Sequence, residues 1–486
     1  MTRRAPRRAA EAIAALAVAL SVAACHEGSS LPPRGNILLI TVDTLRADHL
    51  SSYGYPRQTS PVLDRLAAEG VRFDRPSVQW PKTGPSFASI FSSTYPKDNG
   101  IVRQIGIPVP EELSLLAERL SAAGFATAAV VSNGALGTEF NFDQGFERYV
   151  QTWKVQGVEG DPNRAGVVTD EALAVAAELD PARPFFLWVH YLDPHFPYTP
   201  PEEYADRFID DEHFDPTVRV PIDRQSARRQ MAAIGRDMVL EEREDLAFYE
   251  ARYDAEILYA DTEIGRLLDG LGGSGRLDGT VIAMTSDHGE SLGEHHYYFD
   301  HGRFAFQTCL RVPLILSYPG VIEPRVDPDP VQLIDLAPTL LELAGVALDD
   351  GAWMQGESLV DRLLGDPDGT AEPRLAFSEA GYATGGKWQR VVQDRRYKLV
   401  LVRGQHLRKW FGSPEGDQWV LYDLEADPAE TVDVSDVETS DARRLQKALV
   451  AWINAEPFDV GAQSSGEQGE MDDDTRKQLE ALGYLD

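Results

Sequence analysis

Five short runs of the chain are apolar almost without interruption. They are Asn36–Val42 (NILLITV), Ala126–Val131 (ATAAVV), residues 185–189 (FFLWV), 281–284 (VIAM) and 312–316 (VPLIL). A strand with one solvated face alternates apolar and polar positions, whereas a strand covered on both faces does not. These runs therefore predict buried strands. Between them, residues 112–123, 169–179, 253–271 and 335–344 carry apolar positions at helical spacing. Strands alternating with helices predict βαβ units around a mainly parallel sheet, an α/β fold.

After about residue 370 the texture changes. Residues 397–402 (YKLVLV) and 419–423 (WVLYD), separated by a Gly/Pro-containing turn, predict a small antiparallel sheet, followed by a helix over 441–454. Residues 458–475 are acidic and polar and predict no regular element, and 477–485 predicts a short closing helix. Residues 200–245, rich in Asp, Arg and Pro, read as an insertion near the mouth of any site. The organisation expected is a leader over 1–24, a tether over 25–35, a main α/β domain over 36–370, a C-terminal subdomain over 371–456, and an acidic tail with a short helix over 457–486.

Composition sharpens this in three places. At 486 residues and 43% hydrophobic, the chain can bury a large core. Its net charge of −32 disfavours nucleic acid and anionic membrane surfaces as partners, and an anionic substrate would need a bound cation. The N-terminus is the exception. Arg3, Arg4, Arg7 and Arg8 precede a charge-free run over 12–24, shorter than the ~20 residues of a spanning helix. Val22-Ala23-Ala24-Cys25 resembles a bacterial lipoprotein processing site, with Cys25 lipidated as the new N-terminus; an ordinary signal peptide is the alternative. The expectation is an exported cell-envelope protein, attached to the membrane through that lipid. The other cysteine is Cys309, so no cysteine-rich zinc pattern exists.

In open α/β sheets, ligands bind beyond the carboxyl ends of the strands. The first run ends in Asp43, the third leads into His190, Asp193 and His195, and the fourth ends in Ser286-Asp287-His288-Gly289-Glu290. Singly, Asp43 reads as a helix cap and His190 as a structural imidazole. Together, carboxylates and imidazoles at several strand ends suit a divalent cation: Zn, Mn, Ca or Mg.

These residues also carry a resemblance. Asn36-Ile-Leu-Leu-Ile-Thr-Val-Asp-Thr-Leu-Arg-Ala-Asp-His-Leu50, Thr59-Ser-Pro-Val-Leu-Asp64, Asp193-Pro-His195, Ser286-Asp-His-Gly-Glu290, Leu310-Arg-Val-Pro313 and Leu421-Tyr-Asp-Leu-Glu425 occur in the order in which the sulfatase family carries them. The chain therefore resembles that family, within the alkaline phosphatase superfamily, from about residue 35 to 435. The resemblance implies an alkaline-phosphatase-like sandwich: a large, mostly parallel central sheet flanked by helices, plus a small C-terminal antiparallel sheet with a helix. It also implies metal-dependent ester hydrolysis.

One segment departs from the family. Sulfatases carry Cys or Ser followed by x-Pro-x-Arg, and convert the Cys or Ser to formylglycine. Aligned on Pro85 and Ala88-Ser89, this chain has Thr83 in that place and Phe87 for the arginine. Formylglycine is not expected, and nothing aligned places Ser86 on the metal. Thr-based relatives, among them phosphodiesterases and lipoteichoic acid synthases, use a metal-bound Thr hydroxyl. A cation can lower the pKa of a bound water by roughly eight or nine units, and a coordinated hydroxyl responds in the same sense. Thr83 is also a natural N-cap for a helix over 84–91; both roles are compatible.

The resemblance implies Asp43, Thr83, Asp287 and His288 as ligands of one cation, with Thr44 in place of a further family Asp. A second cation would draw on His195, His295, His296 and His301. His301 is expected to contact the transferred group or to protonate the leaving group, with His195 as the other candidate. His190, Asn133 and His295 are expected at the substrate. Ser132-Asn133-Gly134 stands where the family carries Lys-x-His, so one anion-binding group is absent or replaced. The resulting expectation is a hydrolase of phosphoric esters, diesters preferably, on a small-molecule, glycan or lipid substrate. The alternatives are a sulfuric ester hydrolase, a phospho-alcohol headgroup transferase and a non-catalytic binding lipoprotein.

Overall fold

The computed structural model describes residues 35–226, 232–348, 354–365, 374–382, 387–403, 417–455, 471–482 and 484. The leader, Cys25 and most of the tether lie outside them. Among the described residues no helix is long and apolar enough to cross a membrane.

The main sheet has eight strands: β1 (Asn36–Val42), β2 (Val71–Ser77), β3 (Ala126–Val131), β4 (Arg148–Gln151), β5 (Phe185–Tyr191), β6 (Thr280–Ser286), β7 (Leu314–Ser317) and β8 (Arg325–Gln332). Their order is β8-β2-β7-β6-β1-β5-β3-β4. All neighbours pair in parallel except at β7, which runs antiparallel to both β2 and β6. The five apolar runs are all strands, and the sheet is mainly parallel as expected, with β7 its one reversed strand. An apolar run reports burial, not direction. Strands β2 (VRFDRPS) and β8 (RVDPDPVQ) lie towards one edge and are too polar to show as apolar runs.

Alternate residues of the central strands enter opposite layers. Ile37 and Leu39 join one core with Phe87, Ile90, Phe91 and Trp188; Leu38, Ile40 and Val42 join another with Val168, Tyr249 and Tyr253. The first layer is built on α2 (Thr83–Ser92), α3 (Leu116–Ala122) and a later helix, Leu336–Leu343, whereas α1 (Pro61–Ala68) packs in the second through Leu63 and Leu66. The second is built on α4 (Ala165–Glu178) and the long α5 (Leu246–Gly273), which begins seven residues before the helical spacing predicts. With Leu336–Leu343 as α6, the result is helix–sheet–helix layering, the sandwich expected.

Beyond the main sheet, β9 (Ala376–Tyr382), β10 (Lys387–Gln393), β11 (Tyr397–Arg403) and β12 (Gln418–Asp423) form a four-stranded antiparallel sheet. Helix α7 (Thr439–Ile453) covers it through Leu445 and Leu449. The closing helix, α8 (Asp473–Ala481), starts four residues earlier than expected, because the Asp472 side chain accepts from Thr475 N and caps it. The described part of the 200–245 insertion lays Phe208 and Phe214 against α5, and Asp211 pairs with Arg57.

Trp188 on β5 fixes α2 against the sheet. It is fully buried, its ring lies 4.9 Å from Phe87 and 4.7 Å from Phe91, and its Nε1 donates to Thr41 Oγ1 at 2.9 Å. Removing a buried aromatic of this size costs about 3–5 kcal/mol. Trp188→Ala is expected to lose stability of that order in urea unfolding. A loss below about 1 kcal/mol would mean that α2 is held by other contacts.

Candidate active site

Strand pairing assembles the site. Val42 on β1 lies opposite Ser286 on β6 and opposite Tyr191 on β5. The residues that follow, Asp43 and Asp287, therefore leave the sheet side by side. Val131 on β3 lies opposite His190, which places Ser132-Asn133 at the same edge. Thr83 arrives from the other layer as the first residue of α2. The N-cap is Lys82, not Thr83 as the sequence predicts, so the Thr83 side chain is released from capping. The first turn of α2 packs closely: a Cβ on Gly84 would stand 2.8 Å from the Gln104 carbonyl.

Asp43, Thr83, Asp287 and His288 are all fully buried. Ligand atoms of Asp43, Asp287 and His288 lie within 4.8 Å of one another. His288 Nδ1 is 3.0 Å from the Gly289 carbonyl, so it carries the proton and donates there. That leaves the Nε2 lone pair directed at Thr83 Oγ1, 3.4 Å away, and Asp287 Oδ2, 3.3 Å away. Asp43 Oδ1, Asp287 Oδ2 and Thr44 Oγ1 are buried without a hydrogen bond. Buried oxygens without partners are costly unless something binds them. Two carboxylates, one imidazole lone pair and a hydroxyl make a donor set that fits a divalent cation. Thr44 holds φ +54°, a region a β-branched residue avoids, and its N–H faces Asp287 Oδ1 at 3.3 Å.

Electrostatics agree. Burial pushes the Asp287 carboxyl up, and the charge of Asp43 pushes it further. Burial works on Asp43 in the same sense, but His190, His195 and His288 outweigh it and hold Asp43 well below the usual carboxylate range. A cation between the two would relieve their repulsion.

Asn133 and His190, expected at the substrate, are instead committed to Asp43. Asn133 Nδ2 donates to Asp43 Oδ2 at 2.5 Å and lies 3.5 Å from Thr83 Oγ1. Trp188 donates to Thr41 Oγ1, which lies 3.0 Å from His190 Nδ1. The Thr41 proton then goes to Nδ1, and Nε2–H faces Asp43 Oδ2 at 3.4 Å. Phe87, in the place of the family arginine, packs edge-on against the His190 ring at 5.0 Å. The Ser86 hydroxyl donates to the Asp287 carbonyl at 2.6 Å, which keeps it out of the cluster. Asp193 is also elsewhere: it accepts from Ala165 N at the start of α4 and pairs with Arg164.

His195 and His301 face the same centre. The His301 ring lies 4.2 Å from that of His288, tilted by 33°, and the His195 ring lies 5.5 Å from that of His301. His301 Nδ1 meets Glu290 Oε1 at 3.2 Å, and Glu290 Oε2 accepts from Tyr198 Oη at 2.5 Å. With His195, Glu290 and His301 form a second group of convergent ligand atoms. Glu290, the last residue of Ser-Asp-His-Gly-Glu, has this role without having been singled out in the sequence. His295 does not reach the centre. It sits at φ +54° in a tight turn, its ring stacks 3.7 Å from Phe306, and it lines a separate cavity with Arg311 and Glu430. His296, in the same turn, is exposed.

The sulfatase family model matches residues 35–346, and the model for the N-sulphoglucosamine sulphohydrolase C-terminal region matches 293–455. The chain belongs to the sulfatase family. It is 27% identical to a choline-sulfatase of Rhizobium meliloti, over 88% of this chain and 89% of that one. To an N-acetylglucosamine-6-O-sulfatase of Bacteroides thetaiotaomicron it is 26% identical, over 85% of each. A phosphonate monoester hydrolase of Agrobacterium radiobacter shares the fold, with a TM-score of 0.66 at 23% identity, over 86% of this chain and 95% of that one. This sulfatase-family chain is an ester-hydrolysing enzyme, of a family typically dependent on a divalent metal.

A cation that binds only the folded chain, present at a hundred times its Kd, adds about 2.7 kcal/mol of stability. Manganese or zinc is expected to raise the unfolding free energy of the chelator-treated enzyme by that order and to leave Asp287→Ala unmoved. Equal stabilisation of both proteins would place the cation elsewhere.

Proposed function

We propose that this sulfatase-family enzyme hydrolyses phosphoric esters, diesters preferably, with Thr83 as nucleophile. The observation that carries the reading is the Thr83 hydroxyl, buried 3.4 Å from His288 Nε2 at the cluster containing Asp43 and Asp287. Neither residue type from which formylglycine is made stands there, and the nearby Ser86 hydroxyl is bound to a backbone carbonyl.

Asp43, Thr83, Asp287 and His288 would hold a divalent cation, which when bound would acidify the hydroxyl and neutralise the ester's charge. Asn133 and His190 hold Asp43 in place. The Thr83 hydroxyl gives its proton to solvent, its oxygen attacks phosphorus and the bond to the leaving alkoxide breaks, forming a Thr83 phosphoester; Thr83 takes a proton back when water displaces its oxygen. His301, oriented by Glu290 and Tyr198, gives that alkoxide its proton, and the resulting imidazole then takes one from the water that hydrolyses the Thr83 ester. A formylglycine sulfate can collapse by elimination; a threonine ester cannot, because its carbon carries no second hydroxyl. Hydrolysis at the ester atom is the remaining exit, and it favours phosphorus. Sulfate is the second reading, supported by the activities named for the curated relatives.

The leader extends the proposal. Basic residues, a short apolar run and Ala-Ala-Cys25 favour an exported enzyme carrying lipid on Cys25. Mass spectrometry of the mature N-terminus is expected to find that lipid; an unmodified residue there would remove the anchor.

Aryl sulfate, phosphate monoester, phosphodiester and phosphonate monoester substrates test the chemistry, with the phosphodiester expected to be fastest. Thr83→Ala is expected to lower kcat by roughly 10³ or more, and Thr83→Ser to retain part of it. Sulfate turnover above every phosphoester would overturn the substrate assignment. Full activity in Thr83→Ala would overturn the nucleophile.

Loss of a general acid typically costs about 10²–10⁴ in rate. In kcat/KM, which reports steps only as far as formation of the Thr83 ester, His301→Ala is expected to lose that much on a methyl ester but little on a p-nitrophenyl ester, whose leaving group departs unprotonated. Equal losses on both would give His301 an anion-binding role instead.

A further inference from the structure

The segment that replaces the family's Lys-x-His is covered by the far end of the chain. Helix α8 lies on Ser132–Leu136: Gln478 Nε2 donates to the Ser132 carbonyl at 2.8 Å, and Leu479 is fully buried in the main core. Trp153 Nε1 donates to Thr475 Oγ1 at 3.0 Å, and that hydroxyl meets Glu139 Oε1 at 3.0 Å. Gly134 makes room for the helix. A Cβ there would stand 2.0 Å from Gln478 Oε1 and 3.3 Å from Leu479 Cδ2. An imidazole at this position would have to occupy ground that α8 fills.

Beyond α8 the chain turns inward at Tyr484. Its hydroxyl lies 2.9 Å from His195 Nε2, and its ring meets those of His195 and His301 edge-on, with centroids 5.7 and 6.5 Å away. The same hydroxyl lies near enough to Thr83 and Asn133 to interact with them electrostatically. A phenol is protonated at neutral pH and can donate. Rotation about its C–O bond turns that proton away from His195 without moving the ring. Helix α8 also walls a cavity of about 410 Å³ beside His195, through Asp474, Lys477, Ala481 and Leu482.

We propose that Tyr484 is a substrate-contacting residue whose phenol donates to a non-bridging oxygen of the ester, in place of the donor that Lys-x-His would supply. The proposal rests on the ester occupying the space before Thr83, but not on whether phosphorus or sulfur is attacked. The replacement is spatial: the donor comes from the C-terminal segment and is delivered over the surface where that motif would stand.

The test is direct binding of orthovanadate to the full-length, metal-loaded enzyme by titration calorimetry, for wild type and Tyr484→Phe. Phenylalanine keeps the ring and removes only the donor, so melting temperature and metal content should match. A hydrogen bond to a charged group is worth roughly ten- to a hundredfold in affinity. The Kd for vanadate is expected to rise by that factor in Tyr484→Phe, and kcat/KM to fall similarly on whichever ester the wild type cleaves. Equal Kd values, or no vanadate binding by the wild type, would overturn the proposal. Tighter vanadate binding with faster turnover in Tyr484→Phe would also overturn it, by showing a tail that blocks the site. Because the binding arm needs no turnover, a wild type that prefers sulfate would unseat the phosphoester reading and leave the role of Tyr484 separately decided.

Discussion

Two carboxylates, Asp43 and Asp287, are forced together inside the protein by the parallel pairing of β1 with β6. Neither can reach water, and each raises the cost of ionising the other. Much of the surrounding structure answers that constraint. Asn133 and His190 hold one oxygen of Asp43, and the backbone N–H groups of Thr44 and His288 face Asp287 Oδ1. Thr44 accepts an unfavourable backbone conformation there, at a cost of order 1–3 kcal/mol. The oxygens left over converge on the Nε2 of His288, and a cation suits that point better than any side chain present.

Around this pair, the aromatic layer has a geometric task. Trp188 projects from β5 against α2, and hydrogen bonds run from its indole through Thr41 to His190, whose Nε2 lies 3.4 Å from Asp43 Oδ2. The packing that places the helix bearing Thr83 is thus continuous with the network around Asp43. Replacement of the family arginine by Phe87 suits this layer, since the phenyl ring fills the space against Trp188 and His190. A charge has been exchanged for packing, and positive charge near the ester has to come from elsewhere.

The centre of this arrangement was legible in the sequence, because the strands carrying it are buried on both faces and write themselves as apolar runs. Asp43 follows such a run immediately and Asp287-His288 follow the strand that another run marks, so their placement follows from strand pairing. The reversed β7 was not legible: burial leaves the same apolar signature in either direction. Glu290 and Tyr198 act through His301, and such indirect roles leave no pattern of their own. His295 was misplaced because adjacent histidines in a left-handed turn point away from the strand end that precedes them. Tyr484 could not be found by reading outward from motifs, since it comes to Thr83 across some four hundred residues.

The packing of α8 on Gly134 links two distant stretches of the gene. A side chain at position 134 must displace the Gln478 amide, and a docked α8 leaves space for little more than a hydrogen atom. A histidine at position 134 and a docked α8 that carries Tyr484 inward therefore exclude each other in a single chain. A lineage passing from one to the other would have to cross a form that has neither, so the glycine and the tyrosine are expected to be inherited as a pair.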